Sequence, residues 1–274
     1  MTSSATESET DKKRLMVITA HPDDAEFNAG GLMLKWVSAQ QEVFILCLTD
    51  GSAGHHRLTA EVLAGIRQEE ARNAADLLEA KVVIWDVRDG ELEASTTLRK
   101  QLISDIRQYQ PDLILTHRTA DYHPDHRACA QLVMDACYLL QVPNIVPEQP
   151  ALSRVPPVLL FADRFQYPRP FQPDWVCDTG DVLSGVVELL HCHESQVYEW
   201  LPYTQNIEVP AQNRRQWLRQ WYSPRPQRCA EKYAAPGVAA AEAFETSEYG
   251  GAFDAQAFDF VSLQKPINRS SEDA

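Results

Sequence analysis

The chain has 274 residues, of which 39 are acidic and 25 are basic, and its formal net charge is −14. That balance argues against a nucleic-acid partner, because phosphate binding needs clustered lysine and arginine. Hydrophobic residues make up 44% of the sequence, enough for a full core, and no run reaches the ~18 apolar residues that a membrane-spanning helix needs.

Strand-like and helix-like segments alternate through the first half of the sequence. Short apolar runs rich in β-formers predict strands over residues 15–19, 43–49, 82–85, 113–116 and 158–162. Longer segments with helical periodicity predict helices over residues 25–40, 58–80, 98–109 and 125–140. Because continuous apolar strands are typical of parallel sheets covered on both faces, we predict an α/β fold with a Rossmann-like, doubly wound, mostly parallel sheet and helices on both faces.

The second half is less regular, and its many prolines predict a loop-rich C-terminal part. Helices are expected there over residues 181–193 and 213–222. The sequence contains no internal repeat and no clear linker. We therefore expect a single domain over residues 13–268, preceded by a disordered polar leader (1–12) and followed by a polar tail (269–274).

The first residues and the cysteines indicate the cellular location of the protein. The leader lacks the apolar stretch of a signal peptide. The six cysteines are scattered and none forms a C-x-x-C pair, so reduced thiols are the expectation. These features predict a cytoplasmic protein without a membrane span, and they leave a homo-oligomer open.

The segment A-H-P-D-D-A-E, residues 20–26, lies between the first predicted strand and the first predicted helix. Ligands of open α/β sheets bind at the carboxyl ends of strands, so His21, Asp23 and Asp24 are expected at the site-forming edge. His21 and Asp24 are three residues apart, which lets both side chains converge if a helical turn begins there.

A second cluster, D-Y-H-P-D-H at residues 121–126, follows the fourth predicted strand and opens another helix. His123 and His126 are again three residues apart. Single motifs of this kind are often helix caps, but two of them at two strand ends favour a metal site. Catalytic zinc uses three His, Asp or Glu ligands and keeps a position for water, which becomes a nucleophile at neutral pH.

The A-H-P-D-D-x-E motif with a later H-P-D-H resembles the PIG-L/LmbE family of metal-dependent N-deacetylases. Four further motifs resemble those of the family and occur in the same order. They are Gly30-Gly31, L-T-D-G (48–51), I-R-Q-E-E (66–70) and H-E-S-Q (193–196). The resemblance runs from about residue 15 to residue 196, with a weak echo at 241–244. It implies a Zn²⁺ enzyme, with Fe²⁺ as the other candidate metal.

Carried onto this sequence, the resemblance implies a metal held by His21, Asp24 and His126. Asp23 would then be the general base on the metal-bound water. His123 would stabilise the oxyanion or protonate the leaving amine.

Four further residues have expected roles. The resemblance implies that Asp125 orients or tunes His123, and that Arg67 contacts a sugar hydroxyl. For Arg67, a surface charge paired with Glu70 is the competing interpretation. Asp89 follows the third predicted strand and Tyr122 precedes His123, so both are candidates for contacts with the substrate.

These features predict a hydrolase that removes an N-acetyl or related N-acyl group from a small substrate, an N-acetylglucosamine-type sugar conjugate. Two alternatives remain open. Two histidines and one carboxylate are also the ligand set of non-haem Fe(II) oxygenases, although the alternating strands and helices disfavour that class. A non-catalytic metal or sugar binder on the same scaffold is the other, and it would not need Asp23.

Overall fold

The computed structural model describes residues 12–267, which form one seven-stranded sheet with helices on both faces. The predicted tail, and the predicted leader apart from Lys12, lie outside these residues. In chain order the strands are β1 (Arg14–Thr19), β2 (Glu42–Cys47), β3 (Lys81–Ile84), β4 (Leu113–Thr116), β5 (Val158–Phe161), β6 (Trp175–Asp178) and β7 (Ala241–Thr246).

The α-helices of the described residues lie mostly between the strands. In chain order they are α1 (Asp24–Ser38), α2 (Ala60–Leu78), α3 (Thr96–Tyr109), α4 (Pro124–Leu139), α5 (Leu183–His191), α6 (Leu201–Gln205), α7 (Arg214–Tyr222) and α8 (Pro224–Tyr233). A π-helical segment, Ser195–Trp200, leads into α6, and a 3₁₀ segment, Ala255–Val261, follows β7.

The strand order is β3-β2-β1-β4-β5-β7-β6. The pairs among β1 to β5 are parallel, whereas β7 runs antiparallel to both β5 and β6. The order 3-2-1-4-5 is that of a doubly wound sheet. The predicted Rossmann-like, mostly parallel fold is therefore confirmed.

Alternate residues of β1 pack on opposite faces of the sheet, as the two-residue period of a strand requires. On one face, Leu15 and Val17 pack with Trp36 of α1. On the other face, Met16 and Ile18 pack with Ile103 of α3. Both faces of the sheet are therefore covered by apolar side chains, which explains why the strand sequences are continuously apolar.

The second half of the chain departs from the sequence-based expectation. β6, β7 and α8 were not predicted, and residues 241–244 of β7 were noted only as a weak echo of the family resemblance. Prolines at the start of α8 concealed it, although proline is well tolerated in the first turn of a helix. The helix expected from Asp181 begins at Leu183, and Asp181 instead pairs with Lys35 at 2.8 Å.

Within residues 12–267, no helix is long and apolar enough to cross a membrane. All six cysteines are free thiols, and four of them are buried.

The order in which successive strands are added reverses between β1 and β4, which are parallel neighbours in the middle of the sheet. In doubly wound sheets a crevice opens at such a switch point, outside the carboxyl ends of the strands. The first H-P-D motif begins two residues after the end of β1, and the second begins seven residues after the end of β4. The fold therefore brings the two motifs to one crevice.

Candidate metal and catalytic site

The turn between β1 and α1 is built around the carboxylate of Asp24. Its Oδ2 accepts the backbone N–H of His21 at 2.8 Å, which closes the turn. Asp23 has a backbone φ of 144°, in a region that residues other than glycine rarely adopt. Backbone strain of this kind concentrates at functional sites. The turn directs a histidine and two carboxylates into the crevice.

Three atoms from the two motifs form a small triangle, although His21 and His126 are 105 residues apart in sequence. His21 Nδ1 lies 3.2 Å from His126 Nε2 and 3.4 Å from Asp24 Oδ2. His126 Nε2 lies 3.5 Å from the same carboxylate oxygen. The residues that the resemblance implied as metal ligands therefore converge on one point.

The triangle fits a small divalent cation. Tetrahedral metal bonds of about 2.0–2.2 Å would separate the ligand atoms by roughly 3.3–3.6 Å. Two imidazole nitrogens and a carboxylate oxygen are also the donor types that zinc and ferrous iron accept. These distances match the ones observed, so the residues present can hold such an ion.

The far nitrogen of His21 is surrounded by carboxylates. His21 Nε2 lies 3.2 Å from Asp89 Oδ1 and 3.3 Å from Asp125 Oδ2. A proton on Nε2 is thereby favoured, which leaves Nδ1 free to bind a metal. Asp125 is itself fixed by the backbone N–H groups of Gly90 and Leu92.

The position of Asp125 corrects one expectation. Its carboxylate contacts His21, not His123, and only its backbone N–H reaches His123 Nδ1, at 3.2 Å. Asp89, expected to bind a substrate hydroxyl, also lies behind His21, and its other oxygen accepts the N–H of Ala53. Contact of Asp89 with the substrate stays a prediction.

His126 is held in the same way by Asp121, the first residue of the second motif, for which the sequence predicted no role. Asp121 Oδ1 lies 3.0 Å from His126 Nδ1 and accepts the backbone N–H of His123 at 2.9 Å. His126 Nε2 is therefore the nitrogen left for a metal. In the sequence, the only feature that indicated a role for Asp121 was its place as the first residue of the second motif.

His117 is a second site residue that the motifs missed. It directly follows β4, its ring stacks on that of His126 at a centroid distance of 4.2 Å, and its Nε2 lies 3.4 Å from Asp24 Oδ2. Nε2 also accepts the N–H of Ala20, at 3.2 Å. His117 therefore joins the ends of β1 and β4. Its position at a strand end was the available signal.

The carboxylates make this point of the crevice favourable for positive charge. Burial lowers the pKa of His21, but contacts with Asp125, Asp24 and Asp89 outweigh burial and raise it well above its usual value. Burial likewise lowers the pKa of His126, and Asp24 and Asp121 reverse the effect. The surroundings favour a cation here, either a proton or a metal ion.

Asp23, next to Asp24 in the turn, forms an ion pair with Arg67. Its Oδ1 lies 3.0 Å from Arg67 Nη2. Burial raises the pKa of Asp23 to about 6, even though the guanidinium opposes the shift. A buried carboxylate of this kind suits proton transfer near neutral pH.

Arg67 is 2% exposed, so it is not a surface charge. Its guanidinium donates to the carbonyls of Pro22 and Gly51, at 2.6 and 3.1 Å. The alternative pairing with Glu70 is wrong, because both oxygens of Glu70 accept from Ser195 instead. The contact of Arg67 with a sugar hydroxyl stays a prediction.

His123 and Tyr122 lie on the open side of the site. His123 Nδ1 accepts the N–H of Asp125, so the neutral ring carries its proton on Nε2. Burial, together with the charges of His21 and His126, lowers the pKa of His123. Tyr122 is 71% exposed, and its ring meets those of His123 and His126 edge to face.

Comparisons with known proteins identify the family of the chain. Residues 16–137 match the family model described as PIG-L, GlcNAc-PI de-N-acetylase. The chain is 30% identical to diacetylchitobiose deacetylase from Thermococcus kodakarensis over 210 residues, which are 73% of this chain and 78% of the relative. It is 26% identical to 4-oxalmesaconate hydratase from Pseudomonas putida over 203 residues, 71% and 78% of the two chains.

Among solved structures, N,N'-diacetylchitobiose deacetylase from Pyrococcus horikoshii superimposes with a TM-score of 0.71 and 25% identity, over 87% of this chain and 85% of that one. The family model spans residues 16–137, the part of the chain that carries both motifs. The enzyme class that the motifs indicated is thereby supported by sequence and by structure. The chain belongs to the PIG-L family of deacetylases.

Proposed function

We propose that the protein is a zinc-dependent N-deacetylase that hydrolyses the acetamide of a small N-acetylglucosamine-type sugar. The observation that carries the proposal is the triangle of His21, Asp24 and His126, with separations of 3.2–3.5 Å. A carboxylate, Asp23, and an imidazole N–H, on His123, lie beside it. Amide hydrolysis needs these three components: a Lewis acid, a base and an oxyanion donor.

A bound Zn²⁺ would polarise the acetyl carbonyl and lower the pKa of water, which is the chemistry that it supplies in hydrolases. Asp23 accepts the proton of the attacking water. Arg67 holds the Asp23 carboxylate at 3.0 Å, which limits its freedom to move during the transfer.

His123 serves the developing negative charge on the carbonyl oxygen. Its Nδ1 is occupied by the N–H of Asp125, so the Nε2–H is the group free to donate to an oxyanion. The proton that Asp23 has taken up then passes to the leaving amine. Acetate and a free amino sugar are the products.

The substrate class is supported by the relatives and by the charge of the site. A relative at 30% identity is named for a diacetylated disaccharide. Asp89, Asp121 and Asp125 surround the ligand histidines, and Arg67 is already paired with Asp23. A neutral N-acetyl sugar, which leaves as a cationic amine, suits this crevice better than an anionic substrate does.

The test is a fluorescent assay of amine release from N-acetylglucosamine and N,N'-diacetylchitobiose, with metal analysis of the same samples. We expect Asp23→Asn to retain zinc and to lose about 10²–10⁴-fold in turnover, the usual contribution of a general base. We expect His126→Ala to lose zinc as well as activity.

Asp135→Asn is the matched control, since Asp135 lies in α4 with His126 but pairs with Arg99 at the surface. Wild-type turnover in Asp23→Asn would remove the base assignment. Zinc-loaded wild type that releases no amine from any N-acetyl sugar would remove the proposed function. Hydration of 4-oxalmesaconate would then assign the chain to the chemistry of its hydratase relative. Turnover that needs dioxygen would identify an oxygenase.

A further inference from the structure

The loop of residues 51–58, which follows β2, holds two of the groups in the site through its backbone. The carbonyl of Gly51 accepts Arg67 Nη1 at 3.1 Å. The N–H of Ala53 donates to Asp89 Oδ2 at 3.2 Å. Because Arg67 pairs with Asp23, and Asp89 contacts His21, a shift of this loop would displace both a base and a ligand.

On its other side the 51–58 loop is fastened to residues 196–203, which we name the clamp segment. Gln196 donates from Nε2 to the carbonyl of Gly54 at 3.1 Å. Glu199 accepts from His55 at 3.1 Å. The ring of Tyr203 stacks on that of His56, with a centroid distance of 3.9 Å and an interplanar angle of 4°.

His55 is the rigid part of this connection. Its Nδ1 accepts the backbone N–H groups of Arg57 and Leu58, both at 3.1 Å. The neutral ring therefore carries its proton on Nε2, which points at Glu199 Oε2. The His55 side chain is 1% exposed, so it is a fixed internal support and not a solvated loop residue.

We propose that Glu199 and His55 are positioning residues for the deacetylase reaction, acting through the 51–58 loop on Asp89 and Arg67. The inference rests on the proposed function for its kinetic consequence, but the contacts themselves do not depend on that function. None of the contacts described for Glu199 reaches the metal triangle, and its hydrogen bond to His55 connects it to the 51–58 loop.

The chain offers close controls for Glu199. Arg57 also pairs with Glu199, at 3.2 Å, but its side chain is 66% exposed and it does not touch the site. Glu188 pairs with Arg215 at the surface, and its side chain is 45% exposed against 39% for Glu199. Arg57→Ala removes the outer ion pair alone, and Glu188→Ala removes an equivalent pair elsewhere.

The experiment compares kcat, KM, thermal stability and amide exchange of the 51–58 peptide in these variants. We expect Glu199→Ala to lower kcat about tenfold or more, as small displacements of catalytic groups do, with a smaller change in KM. Exchange of the loop amides should be faster. Glu199→Gln should recover most of kcat, because its amide oxygen still accepts from His55. Arg57→Ala and Glu188→Ala should match wild type.

Equal kcat and equal amide exchange in Glu199→Ala and Glu188→Ala would overturn the proposal. So would a loss of kcat in Glu199→Ala that only follows a fall in melting temperature and is not recovered in Glu199→Gln. If Glu199→Ala does not fold, Gln196→Ala tests the same clamp through the Gly54 carbonyl. If wild type releases no amine, the proposed function fails, and amide exchange of the loop still decides whether the clamp exists.

Discussion

Each imidazole of the metal triangle has a carboxylate behind it. Asp89 and Asp125 contact His21 Nε2, and Asp121 contacts His126 Nδ1. A neutral imidazole has one N–H and one lone pair, so a carboxylate on one nitrogen turns the other lone pair to the metal. The two rings therefore direct different nitrogens, Nδ1 of His21 and Nε2 of His126, into the triangle. The carboxylates are thus part of the site as much as the three residues of the triangle are.

Asp121 gives the first prediction at the scale of one residue. Asp121→Asn keeps the shape of the side chain but removes its charge, and its amide can turn an N–H toward His126 Nδ1. Loss of such a partner typically costs about 10–100-fold in metal affinity or activity. We expect a loss of that size in Zn²⁺ affinity, measured by competition with a chelator.

The control for Asp121→Asn is Asp135→Asn, which changes the same residue type on α4 without touching the site. The two variants should unfold at similar temperatures. Unchanged Zn²⁺ affinity in Asp121→Asn would contradict the role given to Asp121, whatever happens to turnover.

The spacing of the motifs predicted which residues meet, but it did not predict where their side chains point. His21, Asp24 and His126 follow from two strand ends and a three-residue helical spacing. The carboxylate of Asp125 turns to His21 because the N–H groups of Gly90 and Leu92 hold it there. Those groups come from a loop 33–35 residues away in sequence, and no local pattern encodes that contact.

At the scale of one element, α1 is two helical segments joined at Ala29, whose φ of −145° is not helical. The break leaves the first N–H groups of the second segment without intrahelical partners. Glu242 of β7 accepts the N–H groups of Gly31 and Leu32, at 2.7 and 2.9 Å. Gly31 is required here, because a Cβ would lie 2.3 Å from Thr179.

Glu242 makes stability depend on pH. Burial raises its pKa from 4.5 to about 7, against the opposing effect of the two N–H groups. Between these values the folded chain keeps a proton that the unfolded chain has lost, so stability falls as pH rises through this range and levels off above it. We expect Glu242→Gln to lack this loss, which amounts to roughly 3 kcal/mol.

The measurement is chemical denaturation of wild type and Glu242→Gln at several pH values from 4 to 8 (on the order of one unit apart, to bracket the shift). As pH rises, the free energy of unfolding of Glu242→Gln should increase relative to that of wild type. Titration of the candidate metal site changes the unfolding free energy of both chains equally, so it cancels in the difference between them. Parallel curves would contradict a raised pKa at Glu242.

Helical periodicity predicted α1 almost to its ends, yet it could not reveal the break at Ala29. The break exists because a carboxylate more than 200 residues away in sequence replaces the missing hydrogen bonds. β6 and β7 were hard to foresee for a similar reason. They are paired antiparallel to each other at one end of a parallel sheet, so the alternation of strand and helix that exposed β1 to β5 does not extend to them.

At the scale of the whole molecule, the C-terminal half completes the fold that the N-terminal half begins. The family model matches residues 16–137, but β7 pairs with β5, α5 packs against α1, and Glu242 closes the break in α1. Gln196 and Glu199 also hold the loop beside the site. These contacts join the two halves of the described residues into one sheet, and the single domain expected over residues 13–268 stays a prediction.

A single domain should unfold in one step, which calorimetry can test. We expect one transition for the full chain, with calorimetric and van't Hoff enthalpies that agree. Zn²⁺ should raise the transition without splitting it, by about 2.7 kcal/mol of stability when free Zn²⁺ is 100 times its dissociation constant. Two transitions, of which only one responds to Zn²⁺, would instead identify the C-terminal part as a separate domain. In that case chelation should lower only the transition that contains β1 and β4, because the proposed ligands follow those two strands.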